Sequence, residues 1–146
     1  MKLETTIAGN RITIVGRIDD AAQLQALAAN VPAGEVVIDT EGVTFVNSVG
    51  MREWIRLVRA LKGRVRLERV ADVLMTQMNL IAELAGAVAI SSFHAQYVCQ
   101  ACGHEGEPLV EVTGVMAAMP ALPCPECGSA MELADFPERY LMIFKG

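Results

Sequence analysis

The residues best placed to do chemistry are four cysteines. Cys99 and Cys102 lie in Tyr97-Val98-Cys99-Gln100-Ala101-Cys102-Gly103, and Cys124 and Cys127 in Pro123-Cys124-Pro125-Glu126-Cys127-Gly128. The pattern is C-x2-C, 21 intervening residues and a second C-x2-C, close to zinc-site spacing. Each pair makes a short knuckle that points two sulfurs at one ion. The glycine after each pair permits a positive φ, which lets backbone N–H groups turn toward the thiolates. Four thiolates close a tetrahedral site with no open position, which makes a bound zinc structural. The opening MKLETTIAGN has no apolar stretch after Lys2. The expected compartment is therefore the cytoplasm, where thiols stay reduced and ligate metal more readily than they pair.

A second candidate is Ser48, at the Asn47-Ser48 step that opens a helix. Its hydroxyl fits two roles. As an N-cap it accepts a backbone N–H and stabilises by about 1 kcal/mol. As a phosphoacceptor it would place a phosphate against free N–H groups and the positive helix end, with Arg52 one turn on to pair with it. Arg52, Arg56 and Arg59 recur at i, i+4 and i+7 as a basic stripe, which serves either as a solvated face or as a surface for a protein partner.

Other chemistries find no support. There is no phosphate-binding glycine loop, Ser/His/Asp set or HExxH. Neither His94 nor His104 is needed as a ligand, and both read as surface or interdomain residues. No carboxylate pair stands out for acid–base work, so a non-enzymatic protein is expected. With 12 Lys+Arg against 17 Asp+Glu, the chain has net charge −5. Residues 1–95 carry ten basic and ten acidic side chains, whereas 96–146 carry Arg139 and Lys145 against seven acids. That balance argues against nucleic acid and puts a domain boundary near residue 95, giving units 1–94 and 95–146. The apolar stretch Val73 to Ile90 is interrupted by Gln77, Asn79, Glu83 and Gly86, so no membrane span is expected. Apolar residues at 53% against 20% charged residues describe a folded chain.

These groups are positioned by a readable pattern. Residues 10–18 alternate, with Ile12, Ile14, Gly16 and Ile18 on one face. A weaker strand over 2–8 joins it through a Gly9-Asn10 turn. Asp20 and Gln23 suggest a capping box for a helix carrying Leu24, Leu27, Ala28 and Val31 and stopped by Pro32. Val36-Val37-Ile38 reads as a central strand over 35–39. Met51, Trp54 or Ile55, Val58 and Leu61 form the apolar face of the Ser48 helix, which Gly63 ends. Residues 64–70 alternate again. Asp72 caps a third helix with Leu74, Met78, Ile81 and Leu84 or Ala85 as its stripe and Gly86 as its end, and Ala87 to Ser91 is a last strand. The order β-β-α-β-α-β-α-β implies an α/β unit with a mixed four- to five-stranded sheet and helices mainly on one face.

This order, with VVIDTEGVTFVNSVGM at the strand-to-helix turn, resembles the STAS domain of anti-sigma-factor antagonists over residues 1–92. In that family a serine at this turn is phosphorylated by a partner protein kinase that doubles as the anti-sigma factor. By position the serine is Ser48 and the family's glycine is Gly50. The resemblance implies a signalling phosphoprotein that docks a serine kinase or anti-sigma factor at the Ser48 turn, and Asn47 with the stripe Arg52, Arg56 and Arg59 adjoins that turn as the expected partner surface. Asn47 stands where the family usually has Asp, Val49 where it has Ser or Thr, and Arg52 where a small residue is common. These departures bear on the phosphorylation chemistry rather than on docking.

Residues 96–146 resemble zinc ribbons, and the Tyr-Val-Cys knuckle is shared with rubredoxins, in which iron replaces zinc and carries electrons. Rubredoxin-like electron transfer and a transcription-associated ribbon are therefore the alternatives. Pro108 to Val112 and Arg139 to Phe144 read as strands, and Tyr97, Phe136, Tyr140 and Phe144 as the ribbon's small core. So little core implies that the metal holds the unit together. The Met-bearing stretch 112–123 reads as a loop packed on the first unit, or as a pliable docking surface.

Overall fold

The computed structural model describes residues 2–19, 23–81, 84, 86–113 and 116–145. The fold is mixed α/β. A hairpin of β1 (Glu4–Ala8) and β2 (Arg11–Ile18) leads to β3 (Val36–Val46), α1 (Ser48–Ala60), β4 (Val65–Glu68), α2 (Asp72–Asn79) and β5 (Ala89–Ile90). The sheet order is β1-β2-β3-β4-β5, with only the β1–β2 pair antiparallel. The expected alternation of β2 is seen in the burial: Ile12, Ile14, Gly16 and Ile18 are all buried, and their neighbours less so. β3 is central as expected, but runs on to Val46 and so delivers the chain to the Ser48 turn.

Helices α1 and α2 meet in the core through Trp54, whose Nε1 donates to Met78 Sδ at 3.1 Å. Gly50, Met51, Trp54, Leu57 and Val58 form the inner face of α1. Gly50 is required by proximity, because a Cβ there would sit 1.9 Å from the Ile18 carbonyl oxygen. An ion-pair network crosses β2, β3 and β4. Asp39, 4% exposed at its side chain, pairs with Arg11 at 3.1 Å and with Arg69, while Arg11 also reaches Glu68 at 2.9 Å. Thr40 Oγ1 is the buried side-chain polar atom without a partner among the described residues.

The C-terminal region forms two small sheets. β6 (Ser92–His94) pairs antiparallel with β9 (Leu109–Glu111), and the order β10-β11-β7-β8 joins β10 (Leu122–Pro123), β11 (Ala130–Leu133), β7 (Tyr97–Val98) and β8 (Glu105–Gly106). The chain then returns to the first half. Helix α3 (Glu138–Leu141) and a 3-10 turn (Met142–Lys145) pack on α2. Asn79 holds both ends of this segment, donating to the Glu138 carbonyl at 2.7 Å and accepting from the Ile143 N–H at 2.9 Å.

Several expectations are corrected. The segment before Pro32 is a 3-10 helix over Gln25–Asn30, and Asp20 lies outside the described residues. Leu24 and Leu27, three apart, suit a three-residue turn as well as an α stripe. Asn47, not Ser48, caps α1, its side chain accepting from the Gly50 N–H at 2.8 Å. Ala71 occupies the cap position of α2, and Asp72 is the first helical residue. The Asp72 carboxylate is taken by Tyr140 at 2.5 Å and Gln96 at 3.0 Å, so it is not free to cap. α2 ends at Asn79, short of Gly86, and Ala82, Glu83 and Ala85 lie outside the described residues. Arg139 to Phe144 is helical rather than extended, because Pro137 supplies the φ that starts a helix and Asn79 fixes both ends. The expected aromatic core is dispersed. Tyr140 stacks on Phe93 with centroids 6.0 Å apart, Phe144 lies 5.9 Å from Phe93, and Phe136 is 76% exposed. Leu109–Glu111 is a strand, yet its partner is β6 and not the knuckle sheet.

Candidate functional site

The four cysteines converge. Their sulfurs all lie within 4.8 Å of one another, a cluster that could hold a metal ion. Cys99 and Cys124 are buried, while Cys102 and Cys127 are exposed. Across the knuckles the sulfurs lie 3.5 Å apart from Cys99 to Cys127 and 3.7 Å apart from Cys102 to Cys124. A disulfide needs about 2.05 Å, so the thiols are free. Metal–sulfur bonds of about 2.3 Å in a tetrahedron set the sulfurs about 3.8 Å apart, which the observed spacing fits.

The two knuckles are built alike. Gly103 donates to the Cys99 carbonyl at 2.7 Å and Gly128 to the Cys124 carbonyl at 2.9 Å. Each closing glycine has φ of +79°, a conformation that would strain any other residue. Cys99 N–H reaches the His104 carbonyl at 2.8 Å, and Cys124 N–H the Ser129 carbonyl at 2.7 Å. The Ser129 backbone N–H and hydroxyl, then Cys99 and Cys102, hold the Cys127 thiol down to about 6. The His104 backbone N–H draws Cys102 down as well, but desolvation and the other three thiols outweigh it and push Cys102 up to about 12. A divalent cation would take all four sulfurs as thiolates.

Outside the metal set, His94 bridges β6 to β3, with Nε2 2.8 Å from Glu41 and Nδ1 2.6 Å from the Glu107 carbonyl. His104 contributes its backbone to the first knuckle. In the Met-bearing stretch Met116 is buried, and the Pro120 carbonyl accepts from the Tyr97 hydroxyl at 2.7 Å.

The Ser48 turn is separate from the cysteines. Ser48 is exposed as the first residue of α1, and Arg52, Arg56 and Arg59 are exposed along the same helix. Arg56 pairs with Glu53 at 2.8 Å. Beside Ser48 opens a groove of about 260 Å³ between α1 and α2, lined by Ser48, Met51, Arg52, Ile55, Gln77, Leu80 and Ile81. Gln77 and Leu80 are the members the sequence reading missed. Leu80 falls out of register with the Leu74, Met78, Ile81 stripe, and an apolar residue off its stripe is the signal of an exposed contact.

Among the described residues no helix is long and apolar enough to cross a membrane. No family model matches this chain, and no curated protein matches it.

Proposed function

We propose that the chain is a non-enzymatic regulatory binding protein of the STAS, anti-sigma-factor-antagonist type, acting in the cytoplasm, with one structural zinc on Cys99, Cys102, Cys124 and Cys127. The observation that carries this reading is the Ser48 turn. An exposed hydroxyl begins α1, Arg52 stands one turn away, and an open groove lies beside both. That combination suits recognition of a protein surface through apolar contact with a charged rim. The five-stranded mixed sheet, with α1 and α2 meeting through Trp54 and Met78, is compatible with the same reading.

In this reading the partner is a serine kinase that is also an anti-sigma factor. It docks over Asn47, Arg52, Arg56 and Arg59, and phosphate on Ser48 reverses the docking. The zinc carries no chemistry of turnover and holds the knuckle sheet, as its closed four-sulfur donor set suggests. Iron in the same donors would instead make an electron carrier.

The test is affinity capture from the source cell with wild type, Arg52→Glu and Ser48→Asp as baits. A kinase retained by wild type and lost from both variants supports the proposal, and equal retention on all three removes it. Metal analysis of the purified chain decides the ion: colourless protein with one zinc agrees, whereas a visible band that bleaches on reduction favours iron.

A further inference from the structure

We propose that the face centred on Leu80 is where a second copy of this chain binds. Four large hydrophobic residues are exposed among the described residues: Leu80 at 79%, Phe136 at 76%, Met142 at 48% and Val49 at 41%. Three of them meet in one groove of about 540 Å³ between α2 and α3, lined also by Gln77, Glu138 and Arg139. Leu80 and Gln77 line this groove and the smaller one beside Ser48, so the two are continuous, with Leu80 between them. Exposed apolar surface gathered in one place marks an interaction site rather than ordinary scatter.

The charges choose the occupant. At the α1 end stands Arg52, and at the α3 end Glu138. Neither side chain has an ion-pair partner among the described residues, whereas Arg56 is paired with Glu53 and Arg139 with Asp135. A strip with an apolar centre, an uncommitted cation at one end and an uncommitted anion at the other is complementary to itself. A two-fold axis near Leu80 lays each copy's Arg52 against the other's Glu138 and buries Leu80, Phe136 and Met142 between them, the same patch serving both copies. The dimer would cover the Ser48 end of the strip and so compete with a partner docked there. Dimerisation is measured with no partner present, so it stands or falls apart from the functional reading.

Sedimentation of the full chain across the micromolar range tests this. Wild type is expected as a dimer. Leu80→Asp, which alters an exposed side chain, should raise the dissociation constant at least about tenfold without changing the circular dichroism spectrum. Arg52→Glu and Glu138→Arg should each weaken the dimer, and the two together should restore it, since the pair re-forms with its signs exchanged. A monomer at every concentration, a dimer indifferent to Leu80→Asp, or a double variant no better than the singles would overturn the proposal. So would a monomeric wild type whose groove takes up a foreign amphipathic peptide.

Discussion

The Tyr140 hydroxyl donates to Asp72 Oδ1 at 2.5 Å, joining α3 to the first turn of α2 across 68 positions of chain. The same hydroxyl oxygen accepts from the Gln96 backbone N–H at 3.1 Å, and the Gln96 side chain donates to the other Asp72 oxygen. Tyr140→Phe would leave a 5%-exposed carboxylate short of a donor. We expect a loss of about 1–3 kcal/mol in urea unfolding, with the slope unchanged. An unaltered midpoint would mean that Gln96 alone suffices.

The same contact predicts an alkaline limit. Burial first, and the hydrogen bond to Asp72 second, raise the Tyr140 hydroxyl well above its ordinary 10. The folded state therefore keeps a proton that the unfolded chain loses near pH 10. The stabilisation is whole below that pH and drains away above it. Thermal midpoints should fall above pH 10 in wild type and fall less in Tyr140→Phe.

Thr40 offers a gain. Its hydroxyl is buried in β3 without a partner among the described residues, and a methyl of the same shape relieves that burial. Thr40→Val should raise stability by about 1–2 kcal/mol, read from the denaturant midpoint. Loss of stability instead would reveal a water bound at the hydroxyl.

Capping at the Ser48 turn separates two neighbours. Asn47→Ala removes the acceptor for the Gly50 N–H and should cost about 1 kcal/mol in thermal unfolding. Ser48→Ala, at an exposed position with no capping bond, should stay within about 0.5 kcal/mol of wild type. Equal losses would return the cap to Ser48.

Metal removal should act locally at first. A strong chelator, or Cys124→Ser, is expected to speed amide exchange across Tyr97–Leu133 while β2, β3 and β4 keep their protection. Because cysteines bind metal as thiolates, loading should release protons. The apparent affinity should therefore rise between pH 6 and pH 8 in competition with a coloured chelator. Uniform exchange with and without metal would contradict the local picture.

What the sequence disclosed follows from how strongly each segment is constrained. The alternation of Ile12, Ile14 and Ile18 and the run Val36-Val37-Ile38 placed β2 and β3, because a buried sheet face admits one register. The cysteine spacing placed all four sulfurs, because a knuckle is a local geometry. Long-range partners were hidden. Asp72 reads as a cap until Tyr140 arrives from the far end of the chain. Tyr140-Leu141-Met142-Ile143-Phe144 is an unbroken apolar run, which by itself suits strand or helix equally. Asn79 decides for helix, and nothing nearby in sequence announces Asn79. The Ser48 helix was legible, but the groove at its side belongs to two helices at once and could not be read from either.

The return of α3 onto α2 has a practical outcome for anyone dividing this polypeptide. Charge composition changes near residue 95, yet Phe93 lies on one side of that point while Tyr140 and Phe144, the rings that shelter it, lie on the other. A fragment stopped at the compositional seam would carry an uncovered ring and a carboxylate stripped of both donors, and should be sticky and short-lived. The closing segment thus packs on α2, and cropping the knuckles cleanly would require splicing that segment back in place.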